Sequence, residues 1–155
     1  MAGPRREESP YPKADLTLRG LARLADATIA FGLATSAPGV GPLVAAVYLL
    51  LADGLLHGQS PGKKIFGVKA VVPSTRAPAG FQESMLRNAP FALVTLFWAL
   101  PILWPVFFLA GLPIVGYEAW RVYDDPLGRR FGDALADTQV VDAKVLAGAA
   151  ASSSS

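Results

Sequence analysis

The sequence predicts an all-α membrane protein with four short membrane segments, arranged as two helical hairpins and tied by a β-hairpin-like pairing on the cytoplasmic side. Three observations lead there. The 155 residues are 52% hydrophobic and only 17% charged, against about 25% charged residues in a soluble domain, and mean hydropathy is +0.39. The apolar residues fall in long blocks rather than with a helical or strand period. A basic loop separates the second block from the third. The length suits one domain. A net charge of +2 argues against a nucleic-acid partner. The absence of cysteine excludes a disulfide framework, a thiol nucleophile and a Cys-ligated metal.

Residues 1–15 are rich in Pro, Arg and Glu without periodicity and read as a disordered tail. The membrane domain is expected over residues 16–142. Its first apolar block runs from Leu16 to about Ala37. A secretory signal is disfavoured there, because Asp26 sits in the apolar stretch and Pro38 follows the best cleavage position. Residues 38–42 form an uncharged turn, and the second block, Leu43 to Leu56, completes a hairpin. Alternation over residues 65–72 predicts a strand, and residues 73–80 a loop. A helix opens at Phe81 and leads into the third block, Ala89 to Trp120, whose only charge is Glu118. As one helix this block would measure roughly 48 Å. Pro101, Pro105 and Pro113 interrupt it, so it divides near Pro101–Pro105 into two segments. After a turn at residues 124–128, Phe131 to Ala136 suits one or two helical turns. Thr138 to Asp142 has strand character and can pair with residues 66–72. Residues 143–155 read as a second disordered tail, Ala/Gly/Ser-rich from about Val145.

Charge sets the expected threading. The loop over residues 57–87 carries Lys63, Lys64, Lys69, Arg76 and Arg87 against Glu83 alone, and the turn at 38–42 carries nothing. Positive residues gather on the cytoplasmic side, which puts this loop and both termini inside. A hairpin in the third block returns Arg121, Arg129 and Arg130 to that side.

Among side chains with chemical potential, Arg23 and Asp26 share a face of the first helix, and ionisable groups in membrane segments are functional candidates. The simpler role is that Arg23 reaches the interface and Asp26 neutralises it. Arg23, Asp26, Arg87 and Asp133 all stand near segment ends on one side and are expected to form one ion-paired cluster. Asp26 and Asp53 are the candidate proton or cation carriers. Asp53 with His57, the single histidine, makes a poor metal site, and no catalytic triad can be built, so neither a metal, a cofactor nor an enzyme is expected. Gly58 to Lys64 fails the P-loop spacing, because His57 stands where the first glycine belongs. Gly58, Gly62 and Gly67 instead suit tight turning against helix ends, and Lys63, Lys64 and Lys69 suit anionic lipid headgroups. Gly54 and Gly58 have the spacing of a helix-dimer motif.

These stretches together resemble the RDD family of small, mostly bacterial, polytopic membrane proteins, named for one arginine and two aspartates. Arg23 and Asp26, in RLADATIAFG, look like its first-helix pair. Gly58-Gln59-Ser60-Pro61-Gly62-Lys63 looks like its G-Q-T-x-G-K signature, continued by Phe66 to Val71. Arg87-Asn88 looks like its R-N, and Gly132-Asp133-Ala134-Leu135-Ala136-Asp137-Thr138 like its C-terminal G/H-D-x-x-A-G-T, with Asp133 as the second aspartate. Ser60 replaces Thr, and Asp137 stands where the family has glycine. The resemblance spans about residues 16–142. It implies a bacterial inner-membrane location and two kinds of role. One is an accessory or scaffold subunit binding itself or other membrane proteins. The other is a small oligomeric carrier of cations or protons.

Overall fold

The structure is a computed structural model that describes residues 9–146, with every side chain among them except that of Phe107. Four long helices form the body: α1 (Leu16–Ser36), α2 (Gly41–Leu55), α4 (Phe81–Leu96) and α5 (Trp104–Asp124). The short helices α3 (Pro61–Ile65) and α6 (Phe131–Leu135) and the strands β1 (Val68–Val72), β2 (Ala77–Pro78) and β3 (Gln139–Asp142) gather at one end.

Local chemistry explains each boundary. The Asp15 carboxylate caps α1, accepting from the backbone N–H groups of Thr17 at 2.7 Å and Leu18 at 3.1 Å. Pro42 opens α2, where its missing N–H costs nothing. Small residues let α1 and α2 approach, with Ala30 and Ala45 packed beside Leu49. Helices α2 and α4 are the most closely packed pair. Ser84 Oγ donates to the Leu50 carbonyl at 2.6 Å and accepts from Asp53 N at 3.1 Å. Gly54 lies against Phe81. The glycine spacing that suggested a dimer face is thus used inside the chain, because Gly54 faces α4 and Gly58 is a turn residue.

The third apolar block breaks where its prolines cluster. Helix α4 ends at Leu96, two 3-10 turns cover Phe97–Ala99 and Pro101–Leu103, and α5 begins at Trp104. Trp98 and Trp104 stack at 4.9 Å in this turn. Pro90 and Pro113 lie within helices, so the expectation that Pro113 interrupts the chain is corrected. Among the described residues one helical run, Pro101–Asp124, is long and apolar enough to cross a membrane, and α2 is apolar but shorter. The expected four spans therefore reduce to four long helices with one clear spanning candidate. Charge shortens the apolar part of the others: Arg19, Arg23 and Asp26 stand in the first half of α1, and Glu83 and Arg87 in that of α4.

The strands form an antiparallel sheet in the order β2-β1-β3, with Val68 opposite Asp142 and Val71 opposite Gln139. The expected pairing of 66–72 with 138–142 is this sheet, but residues 61–65 form α3 and residues 77–78 add a third strand. The described parts of the expected tails, residues 9–15 and 143–146, pack against the rest of the chain. Residues 1–8 and 147–155 lie outside the described residues. Tyr11, however, is buried against Val71 and Val141, with Leu146 beside them, and Ala14 packs on Val68 and Val140. Tyr11 supplies the aromatic ring and Ala14 the small contact that cover the sheet, which composition alone does not reveal.

Two glycines of the connecting loop are required by space. Gly58 has φ +85°, and a Cβ there would run into the Ala70 carbonyl oxygen; a Cβ on Gly62 would strike the Ala22 carbonyl oxygen and the Asp26 carboxyl group. Gly62 is thus a close-approach residue within α3, not a turn residue. Gly67 has φ +67° with open space around it. Gly62→Ala is expected to destabilise the protein by about 2 kcal/mol or more through overpacking, and Gly67→Ala by about 1 kcal/mol through backbone strain alone. Melting temperatures in detergent, side by side, check the order.

Candidate functional site

At the end of the bundle beside the sheet, carboxylates and cations are buried together. Arg87 on α4 is fully buried. Its Nη2 lies 2.9 Å from Asp133 Oδ1 on α6, and its Nη1 lies 3.7 Å from Asp53 Oδ2 on α2. Asp133 also pairs with Arg19 Nη2 at 3.1 Å and Arg130 Nη2 at 3.2 Å. Asp53 pairs with Lys63 Nζ at 2.5 Å and accepts from Asn88 Nδ2 at 3.4 Å. One chain of charges thereby links α1, α2, α3, α4 and α6. Glu118 of α5 joins it through the backbone, accepting from Phe131 N at 2.9 Å and Gly132 N at 3.4 Å.

The expected four-residue cluster is corrected in half of its members. Arg87 and Asp133 meet, but Arg23 and Asp26 do not pair with each other, and among the described residues neither makes an ion pair. Asp26 is instead enclosed by neutral donors: Ser60 Oγ at 2.5 Å, Gly62 N at 2.9 Å and the Tyr48 hydroxyl at 3.1 Å. It fastens the GQSPGK loop to α1. Arg23 points away toward α4, donating through both terminal nitrogens to Asn88 Oδ1 at 3.3 Å, with its guanidinium 4.2 Å from the Phe91 ring centre. The three-residue spacing put the two on one face of α1 without making them partners, because each found a better one on another element.

Lys63 is a second correction. Expected at lipid headgroups, it is buried under Asp53, while Lys64 is exposed and Lys69 half-buried. Ser60 caps α3, accepting from Lys63 N at 3.2 Å, and the cap orients Lys63 inward. Burial and the neighbouring Arg87 pull the Lys63 ammonium down to about 7, against the attraction of Asp53. Burial alone would raise the Asp133 carboxyl, but Arg130, Arg87 and Arg19 outweigh it and hold it well below the usual carboxylate range. Asp53, expected as a free proton or cation carrier, is already engaged by Lys63 and Arg87. His57 lies exposed on the turn after α2 with φ +53°.

Sequence reasoning did not assign Arg19, Arg130, Glu118, Asn88, Ser60 or Tyr48 to the site. The signal for Glu118 was visible as the single charge of a long apolar block, which calls for a partner. Arg19 was visible one turn before Arg23. Asp137 takes φ +48°, the conformation a glycine adopts easily and an aspartate tolerates.

A cavity of about 510 Å³ opens between α1, α4 and α5 above this network, with cationic side chains at its base and apolar side chains along its walls.

Helices apolar on their outer faces, with all buried charge at one end, define a membrane-associated helical domain. A model of the RDD family matches residues 22–137, and the chain belongs to the RDD family, whose members are membrane-associated. Comparison with curated proteins and with solved structures finds no match.

Removing one partner of a buried ion pair leaves the others uncompensated, at a typical cost of about 3–5 kcal/mol. Asp133→Asn is expected to lose that much, and Asp26→Asn less, because Asn keeps an oxygen for Ser60 or Gly62; detergent melting temperatures measure both. Titration follows with a definite sign. The Asp133 carboxyl lies lower when folded than unfolded, so its stabilisation is full above about pH 4 and is lost as pH falls below that. Lys63 is also lowered, from the ordinary 10.5 to about 7. The unfolded chain therefore holds the extra proton between these values, and stability rises with pH across that window. Lys63→Met should flatten the rise between pH 7 and 9 in a melting series.

Proposed function

We propose that the chain is a multi-pass inner-membrane accessory subunit that associates with itself or with other membrane proteins, and that it is not an enzyme. One observation carries the proposal. Among the described residues the acidic and basic side chains are confined to one end of the bundle, and residues 27–52 and 89–117 contain none. An ion crossing the outer half would meet no acidic or basic group, whereas a docking module needs only a rigid base and an apolar flank. Helix α5 offers that flank, with Leu109 and Leu112 more than two-thirds exposed. An apolar helix face of this kind suits lipid or a partner helix. The four long helices are read as spans, with both termini and the loop at 57–87 in the cytoplasm. Lys64 and Lys69 then stand on the side where anionic headgroups lie.

One feature favours the alternative of a small oligomeric cation or proton-coupled carrier. Lys63 is a buried lysine held near neutrality against Asp53, and a pair of that kind can trade its proton for a cation. Purified protein in liposomes separates the two. The accessory role expects no cation or proton flux above protein-free vesicles, together with cross-links between copies, or to a partner, from single cysteines at Leu109 or Leu112. A saturable flux abolished by Asp53→Asn would establish the carrier instead.

Threading is tested on the same cysteine-free background. A cysteine at Val40 should react with a membrane-impermeant thiol reagent in intact cells, and cysteines at Thr75 and Lys144 should not. Labelling of Lys144→Cys without Thr75→Cys would mean an odd number of crossings between them.

A further inference from the structure

The cavity between α1, α4 and α5 has a chemistry that the ion-paired network does not explain. Its base presents Arg19, Arg23, Lys63, Arg87 and Arg130, and the one carboxylate among its lining residues is Glu118, whose two oxygens already accept from the backbone of α6. Asp53 and Asp133, behind the base, serve Arg19, Lys63, Arg87 and Arg130 between them. Arg23 is left with an amide oxygen and a ring face. The guanidinium of Arg87 is buried, and its ion pairs leave all three nitrogens without a hydrogen bond among the described residues. The five cations at the base outnumber Asp53, Asp133 and Glu118, and the partly exposed Arg23 guanidinium has donors to spare.

The walls answer a different need. Leu24 and Ala27 of α1 face Val115, Ala119 and Val122 of α5 across the opening. These two helices make little contact with each other, so the cavity opens sideways between them. Leu24 and Val115 are more than half exposed. A free anion would need only the base; apolar walls leading out through the flank of a membrane domain suit acyl chains. The volume falls within the range of small-molecule sites.

We propose that this cavity binds an anionic phospholipid from the cytoplasmic leaflet. Its phosphate lies against Arg23, with the buried Arg87 behind it adding positive charge, and its chains leave between α1 and α5. Guanidinium groups match phosphate oxygens in geometry and charge, and basic pockets between membrane helices on the cytoplasmic side are suited to such headgroups. The site rests on the membrane placement of the chain and is indifferent to whether the protein docks or transports.

The test uses full-length protein, delipidated in a neutral detergent, titrated with phosphatidylglycerol, phosphatidylcholine or inorganic phosphate, and read by native mass spectrometry and melting temperature. Phosphatidylglycerol should bind at least about tenfold more tightly than phosphatidylcholine and should raise the melting temperature, while inorganic phosphate should compete weakly. Arg23→Gln should remove the preference, Arg23→Lys should keep part of it, and Ala119→Trp, at an exposed wall position, should block binding while leaving the base intact. Equal binding of the two lipids would overturn the proposal. So would inorganic phosphate competing as well as the lipid in a manner untouched by Ala119→Trp, which would make this a free-anion site. If Arg23→Gln fails to fold, Arg23→Lys and Ala119→Trp still decide. Carbonate-resistant membrane association, measured in parallel, reports separately on the placement itself.

Discussion

Arg87 holds a guanidinium where no solvent reaches, and the rest of the polar end is arranged around that fact. A buried cation is tolerated only with charge beside it. Asp53 supplies it from α2 and Asp133 from α6, so two elements far apart in sequence are drawn to α4. Each carboxylate is then over-supplied: Asp133 takes Arg19 and Arg130 as well, and Asp53 takes Lys63. The short helix α6 docks in turn on Glu118, and Gly132 permits it, because a Cβ there would run into the Arg87 carbonyl oxygen. A buried pair of this kind contributes little net stability over an apolar replacement. Its consequence is registry, since another register of α6 against α4 would remove Asp133 and leave Arg87 with Asp53 alone, 3.7 Å away.

The helices, the proline-marked break and the strand pairing were legible because each has a local cause: apolar run, imino acid, period-two alternation. The partners of the charges were legible only in part. A charge near hydrocarbon must pair, which picked out Arg87 and Asp133, but spacing along one helix says which residues share a face and nothing about what lies opposite. Asp26 therefore looked like the partner of Arg23, when the loop carrying Ser60 and Gly62 folds back over α1 and satisfies Asp26 with neutral donors. Lys63 looked like a headgroup lysine for the same reason. Its neighbour Lys64 is exposed, and the difference is a single step around α3, fixed by the Ser60 cap. The role of Tyr11 in covering the sheet left no pattern at all, because one aromatic residue in a polar tail has no period.

The GQSPGK loop links the two halves of this arrangement. Its serine caps α3 and bonds Asp26, its glycine lets α3 touch α1, and its lysine reaches Asp53. The Gly58 carbonyl then accepts from Ala70 N at 2.7 Å and starts the sheet. A motif that resembles a phosphate loop in composition is here a clamp, with hydroxyl, backbone and ammonium groups each turned inward onto a carboxylate of the chain itself.

Depth explains why the charges are paired instead of solvated. Beyond Asp26, the apolar part of α1 is residues 27–36, about 15 Å of helix, and that of α2 before Asp53 is residues 41–52, about 18 Å. A hydrocarbon core is about 30 Å thick. If the turn at 37–40 reaches the far interface, the network lies within the inner leaflet and not beyond it, at a level where a lone ion is costly. Helix α5 is built to the same measure. Trp104 near one end and Trp120 near the other, both suited to interfaces, stand about 24 Å apart along the helix. The Arg23 guanidinium is then held within the inner leaflet, deeper than the usual level of phospholipid phosphates. A headgroup that meets it is drawn inward along the gap between α1 and α5, and the carboxylates already taken by Arg19, Lys63, Arg87 and Arg130 leave Arg23 as the cation that receives it.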